Sequence, residues 1–150
     1  MELKKFLAVS AVSSAIFLSA CANTPGATDN DVTTENLIRG GEWVVDDISG
    51  KGIIDSSRVS IVFMEGNKVG GSSSCNRYSG EYQLNGSEFT VGENMASTRM
   101  ACAPALMNQE ESFLKLLMHV NQARFGDHGE LLLSTPEGET IRAFQSSPKP

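Results

Sequence analysis

The stretch Tyr78-Ser79-Gly80-Glu81-Tyr82-Gln83-Leu84-Asn85-Gly86-Ser87-Glu88-Phe89-Thr90-Val91 decides the fold class. Tyr78, Gly80, Tyr82 and Leu84 alternate with Ser79, Glu81 and Gln83, which is the two-residue period of a strand with one buried face. Asn85-Gly86 then supplies the dipeptide of a tight hairpin turn, and Phe89 and Val91 share a face on the return. The spacing predicts an antiparallel hairpin near the centre of the chain.

The same pattern extends outward. Residues 42–48 (EWVVDDI) read as a strand and Gly50-Lys51-Gly52 as a turn. Residues 58–64 read as a second strand, with Val59, Ile61 and Phe63 on one face; Glu65-Gly66-Asn67 turns the chain into a return strand over 68–72. Before them, residues 33–39 form a short helix that opens on Thr33 and stops at Gly40-Gly41. Downstream, Pro104 opens the long helix. Leu106, Phe113, Leu117 and Val120, with Leu114 beside them, make its apolar stripe. Three short strands follow, over 123–126, 130–134 and 140–144. Strands on both sides of a single helix, with no repeated βαβ unit, imply an α+β fold. The expected architecture is a curved antiparallel β-sheet, a partial barrel, packed on one main α-helix, plus the short N-terminal helix.

The chain has 150 residues, 20% of them charged, and a net charge of −6, which allows one domain and excludes the basic stripe of a nucleic-acid binder. Its start differs from the rest. Lys4 and Lys5 precede an uncharged, mostly apolar run over residues 6–18. A membrane-spanning helix needs about 20 apolar residues, so the run fits a secretory signal better. Leu18-Ser19-Ala20-Cys21 resembles the bacterial lipobox, and the resemblance implies cleavage before Cys21 and acylation of its thiol and amine. Ala22, where an Asp would resemble an inner-membrane retention signal, implies the outer membrane. The expected organisation is a signal peptide over 1–20, a flexible tether over 21–32 carrying lipidated Cys21, and a domain over 33–150 facing the periplasm. Without Lys4, Lys5 and Glu2, the 12 basic and 18 acidic residues become 10 and 17, a net charge of −7.

With Cys21 acylated, Cys75 and Cys102 remain, and an even pair in an oxidising compartment reads as a disulfide. Two buried free thiols, a pair of zinc ligands or a catalytic thiol are the alternatives. The last two need partners, and His119 and His128 lack metal-ligand spacing. No nucleophile elbow, phosphate loop, zinc-protease pattern or EF-hand loop is present. Gly70-Gly71-Ser72-Ser73-Ser74 reads as close backbone packing or a bulge in preference to an anion nest. Glu110-Glu111 and Asp46-Asp47 read as solvated faces in preference to acid/base dyads. The expectation is a non-enzyme without cofactor or metal.

Gly71-Ser72-Ser73-Ser74-Cys75-Asn76-Arg77-Tyr78-Ser79-Gly80, followed by Ser97-Thr98-Arg99-Met100-Ala101-Cys102 and then by Glu110 and Phe113-Leu114, resembles the META domain, or HslJ, family of heat-inducible bacterial lipoproteins. Trp43 and a late Leu-rich strand fit as well, so the resemblance spans roughly residues 37–144. Ser74 departs from it, standing where many members carry Gly. The resemblance implies a curved antiparallel sheet with a helix against it and an envelope-stress and antibiotic-tolerance context (aminocoumarins such as novobiocin), with no established enzymatic activity. On the residues themselves, Asn76 can cap backbone groups, Arg77 can pair with a carboxylate or carbonyls, and Gly80 permits close approach. Asn76, Arg77, Tyr78, Gly80, Thr98 and Met100 are therefore the candidate motif residues, structural or binding. The expected function is support of envelope integrity through a protein partner. The alternative is a lipid or small hydrophobic ligand held between sheet and helix.

Overall fold

Helix α1 (Thr34–Arg39) begins where Thr33 Oγ1 accepts the Asn36 N–H at 3.1 Å, the capping bond its sequence predicts. The computed structural model describes residues 32–146. The signal segment, Cys21 and all of the tether but its last residue lie outside that range. That last residue, Val32, is buried in the core, so packing begins one residue before the expected domain boundary.

After α1 come β1 (Glu42–Ile48), β2 (Lys51–Gly52), β3 (Ser60–Met64), β4 (Lys68–Ser72), β5 (Arg77–Asn85), β6 (Glu88–Val91) and β7 (Ala96–Ser97). Helix α2 (Pro104–His119) and strands β8 (Gln122–Phe125), β9 (Leu131–Ser134) and β10 (Thr140–Gln145) complete the chain. Eight strands form a closed antiparallel ring in the order β1, β3, β4, β5, β6, β8, β9, β10 and back to β1. The fold is thus mostly β, and the expected partial barrel is a complete one. Closure comes from β10, which pairs with β1 from Trp43 opposite Gln145 to Ile48 opposite Ile141. A closed ring leaves no long unpaired edge.

A bulge between Val45 and Asp47 shifts the β1 register. It resets the alternation, so that Trp43, Val45 and then Ile48 face the core. Asp46 is left outside, where both of its carboxylate oxygens accept from Arg142 at 2.9–3.2 Å. Lys51 and Gly52, expected in a turn, pair back onto β1 as β2. The central hairpin also differs by one residue. Asn85 pairs with Glu88, so the loop is Gly86-Ser87, with the positive φ (60°) at its first position only, as a type II′ turn requires.

Ile61, Phe63, Tyr82, Phe89, Leu131, Leu133 and Ile141 form the barrel core, all at most 2% exposed. Phe63 meets Tyr82 and Phe89 edge-on, with ring centroids 5.2 and 6.0 Å apart. The thinnest seam in the ring joins β6 to β8 through one residue pair, Glu88 and Gln122, and α2 packs against β6 and β10. Its buried residues are Phe113, Leu116 and Leu117, so Leu116 joins the predicted stripe and Leu106 is only partly buried.

Candidate functional site

Cys75 and Cys102 form a disulfide, which ties the turn before β5 to the segment that leads into α2. Closing a loop of 27 residues stabilises the fold by about 3.5 kcal/mol in the chain-entropy treatment. Both thiols are consumed, so neither is a nucleophile or metal ligand while the bond is intact.

The strands around this bond cross closely. A Cβ on Gly71 would lie 2.1 Å from the Ser60 carbonyl oxygen, so the glycine-serine run is close backbone packing. Ser74 has a φ of 101°, a conformation that favours glycine. Its hydroxyl is used, since Gln109 Nε2 donates to it at 3.0 Å.

Asn76 is the hub. Its Oδ1 accepts from Thr98 Oγ1 at 2.9 Å and from the Met100 N–H at 2.7 Å. Its own N–H donates to Glu110 Oε2 at 2.7 Å and its Nδ2 to Glu110 Oε1 at 2.9 Å. Ser73 Oγ lies 2.8 Å from Glu110 Oε2 and 2.8 Å from the Asn76 carbonyl oxygen. One carboxylate from α2 therefore gathers donors from both sides of the turn. Partial burial pushes the Glu110 pKa up, but the bonds from Asn76 and Ser73 outweigh it, and the net shift is downward. Glu110, expected on a solvated face, is instead the helix's link to the motif. It lies three residues before Phe113 and seven before Leu117, so the apolar stripe itself puts it on the packed face.

The other motif residues divide. The Tyr78 hydroxyl donates to the Ser60 carbonyl at 3.1 Å and its ring meets Phe113 edge-on at 5.6 Å; burial pushes its pKa far up. Thr98 Oγ1 accepts the Arg77 N–H at 3.1 Å. The Met95 side chain lies over Gly80, where a Cβ would come within 2.9 Å of it, so the close approach there is by a side chain and not a strand. Met100 contributes its backbone while its side chain is exposed, and the Arg77 side chain, also exposed, is in no ion pair among the described residues.

Along α2, on the side away from this knot, runs a groove of about 600 Å³. Ile48, Ile54 and Leu116 give it apolar walls, and Lys51, Lys115 and Glu137 are among its polar lining. Gln109 joins the two regions. Its Oε1 accepts the Ile54 N–H at 2.8 Å, while Nε2 donates to Ser57 Oγ at 2.6 Å and to Ser74 Oγ. Nothing in the composition flagged this groove, because its residues come from three segments far apart in the chain. No cluster of three or more metal-ligating side chains occurs among the described residues, and no helix there is long and apolar enough to cross a membrane.

The META domain sequence family matches residues 35–148. Heat shock protein HslJ of Escherichia coli (strain K12) is 32% identical over 108 residues, 69% of this chain and 75% of that one. One solved NMR structure is 31% identical with a TM-score of 0.61, covering 76% of this chain and 95% of its own. An NMR structure of a Burkholderia xenovorans protein, 20% identical, superimposes with a TM-score of 0.64 over 95% of this chain and 100% of that one. A crystal structure of a duf4847 family protein from Bacteroides vulgatus ATCC 8482 (16% identical, TM-score 0.54, 78% and 100% covered) also shares the fold.

Proposed function

This chain belongs to the META domain family, and from that premise we propose that it is a non-enzymatic lipoprotein of the outer membrane, held by acylated Cys21, whose periplasmic domain supports envelope integrity under stress by binding a partner. One observation carries the reading. Around the Cys75–Cys102 bond, Ser73, Asn76, Thr98 and Glu110 are committed to one another, whereas the groove along α2 offers apolar walls beside charges that enter no ion pair among the described residues. A heat shock name on a relative 32% identical to this chain supports a stress-related role. The second reading, a lipid or small hydrophobic ligand, is favoured by Ile48, Ile54 and Leu116 lining a groove within the usual size range of ligand sites.

The test is a deletion strain combined with in-cell crosslinking. Deletion is expected to raise permeability to hydrophobic antibiotics after heat stress, and crosslinking to capture an envelope component. A normal envelope with no captured component contradicts the reading. The mass of the mature protein tests the anchor separately: acyl chains on Cys21 are expected, and their absence removes the membrane attachment.

A further inference from the structure

The groove along α2 is lined by both signs of charge. Lys51 and Lys115 line it, and so do Glu137 and Glu139. Lys51, Lys115, Glu137 and Glu139 enter no ion pair among the described residues, although Glu139 Oε1 accepts from Ser49 Oγ at 3.1 Å. His119 lines the C-terminal end of the helix face, and its Nδ1 lies 2.7 Å from the Lys115 carbonyl oxygen. A purely anionic head in this groove would meet two carboxylates. A purely cationic head would meet two ammonium groups. A head that carries both signs can satisfy each set.

Length sets the rest of the ligand. The helix face that lines the groove runs from Ala105 to His119, which at 1.5 Å per residue is about 21 Å. One extended acyl chain is about 15 Å long, half of a hydrocarbon core about 30 Å thick. That leaves about 6 Å of the face for a polar head. Ile48, Ile54 and Leu116 are the large apolar residues of its lining, and they give one chain an apolar wall.

We propose that the groove between α2 and the β1–β2 turn binds a single-chain zwitterionic phospholipid, its acyl chain along Ile48, Ile54 and Leu116, its phosphate toward Lys51 and Lys115 and its ammonium toward Glu137 and Glu139. The proposal rests on the groove being the protein's binding site, as read above. It adds the chemical class of the occupant.

The test titrates the purified full chain with dodecylphosphocholine below its micelle threshold, followed by backbone-amide NMR, with dodecyl sulfate and dodecyl maltoside as comparators. Shifts are expected at Ile48, Gly52, Ile54, Ser112 and Leu116, with dodecylphosphocholine binding at least tenfold more tightly than either comparator. Lys115→Glu, on an exposed side chain, is expected to weaken dodecylphosphocholine at least fivefold while leaving dodecyl maltoside unchanged. If dodecyl sulfate or dodecyl maltoside binds the groove as tightly, the zwitterionic class is wrong and the groove stands as a binding site. If none of the three shifts groove residues, the proposal and the groove reading both fall.

Discussion

The two flanks of α2 are built on opposite terms. On one, Glu110, Asn76, Ser73 and Thr98 close a network in which each donor has an acceptor, and a disulfide locks it. On the other, lysines and glutamates in no ion pair among the described residues line a groove with apolar walls. The first flank contains the cysteines, Asn76 and Glu110, which look most chemical in the sequence, yet these are spent on structure. The second has no motif, yet its groups are the ones left to bind something. Gln109 bridges them, so groove geometry depends on the knot.

The largest effect is expected from opening the disulfide. Replacing Cys75 and Cys102 by serine should cost about 3.5 kcal/mol in a denaturant titration. A thiol titration of unfolded, unreduced protein finding these two groups free would contradict the bond. Next, Glu110→Ala strips the acceptor from two Asn76 donors and Ser73, with an expected cost of about 3 kcal/mol. Because both changes loosen the same turn, their combined effect should fall short of the sum.

Acid should expose the same carboxylate. The folded pKa of Glu110 lies below its ordinary 4.5, so its contribution is present above that value and is lost as pH falls through the folded pKa. Wild type should therefore lose stability below about pH 4.5 more steeply than Glu110→Gln, and parallel pH profiles would remove Glu110 from this role. A smaller difference is expected at Ser74. Ser74→Ala keeps the positive φ and loses the hydroxyl, whereas Ser74→Gly relieves the backbone. The glycine variant should be the more stable of the two by about 1 kcal/mol. Smallest of all, Lys115→Glu in the groove should change stability by no more than about 0.5 kcal/mol. A larger loss would mean that the groove is structural too.

Much of the fold was legible where its cause is local. The strands at 42–48 and 68–72 have the expected bounds because the turns beside them are local signals. The α1 cap was legible for the same reason. Closure was not, since the β1–β10 pairing joins Trp43 to Gln145 and no local pattern encodes partners so far apart. Strands β2 and β7, two residues each, exist only through their pairing with β1 and β5. At the site, the Cys75–Cys102 bond and the capping role of Asn76 could be read from residue chemistry. Glu110 was misread because an adjacent Glu111 suggested a solvated pair, although its spacing from Phe113 and Leu117 pointed inward. The groove was invisible, because Ile48, Ile54 and Leu116 meet only after the barrel closes.

The proposed division of stability and binding across one helix is tested most directly by a single variant. Ile54 is 38% exposed on the groove wall, and it is its backbone N–H that donates to Gln109. In a deletion strain, Ile54→Asp should fold with an unfolding midpoint close to wild type and yet fail to restore the envelope permeability barrier. Full restoration by that folded variant would contradict the claim that the groove is where this domain works.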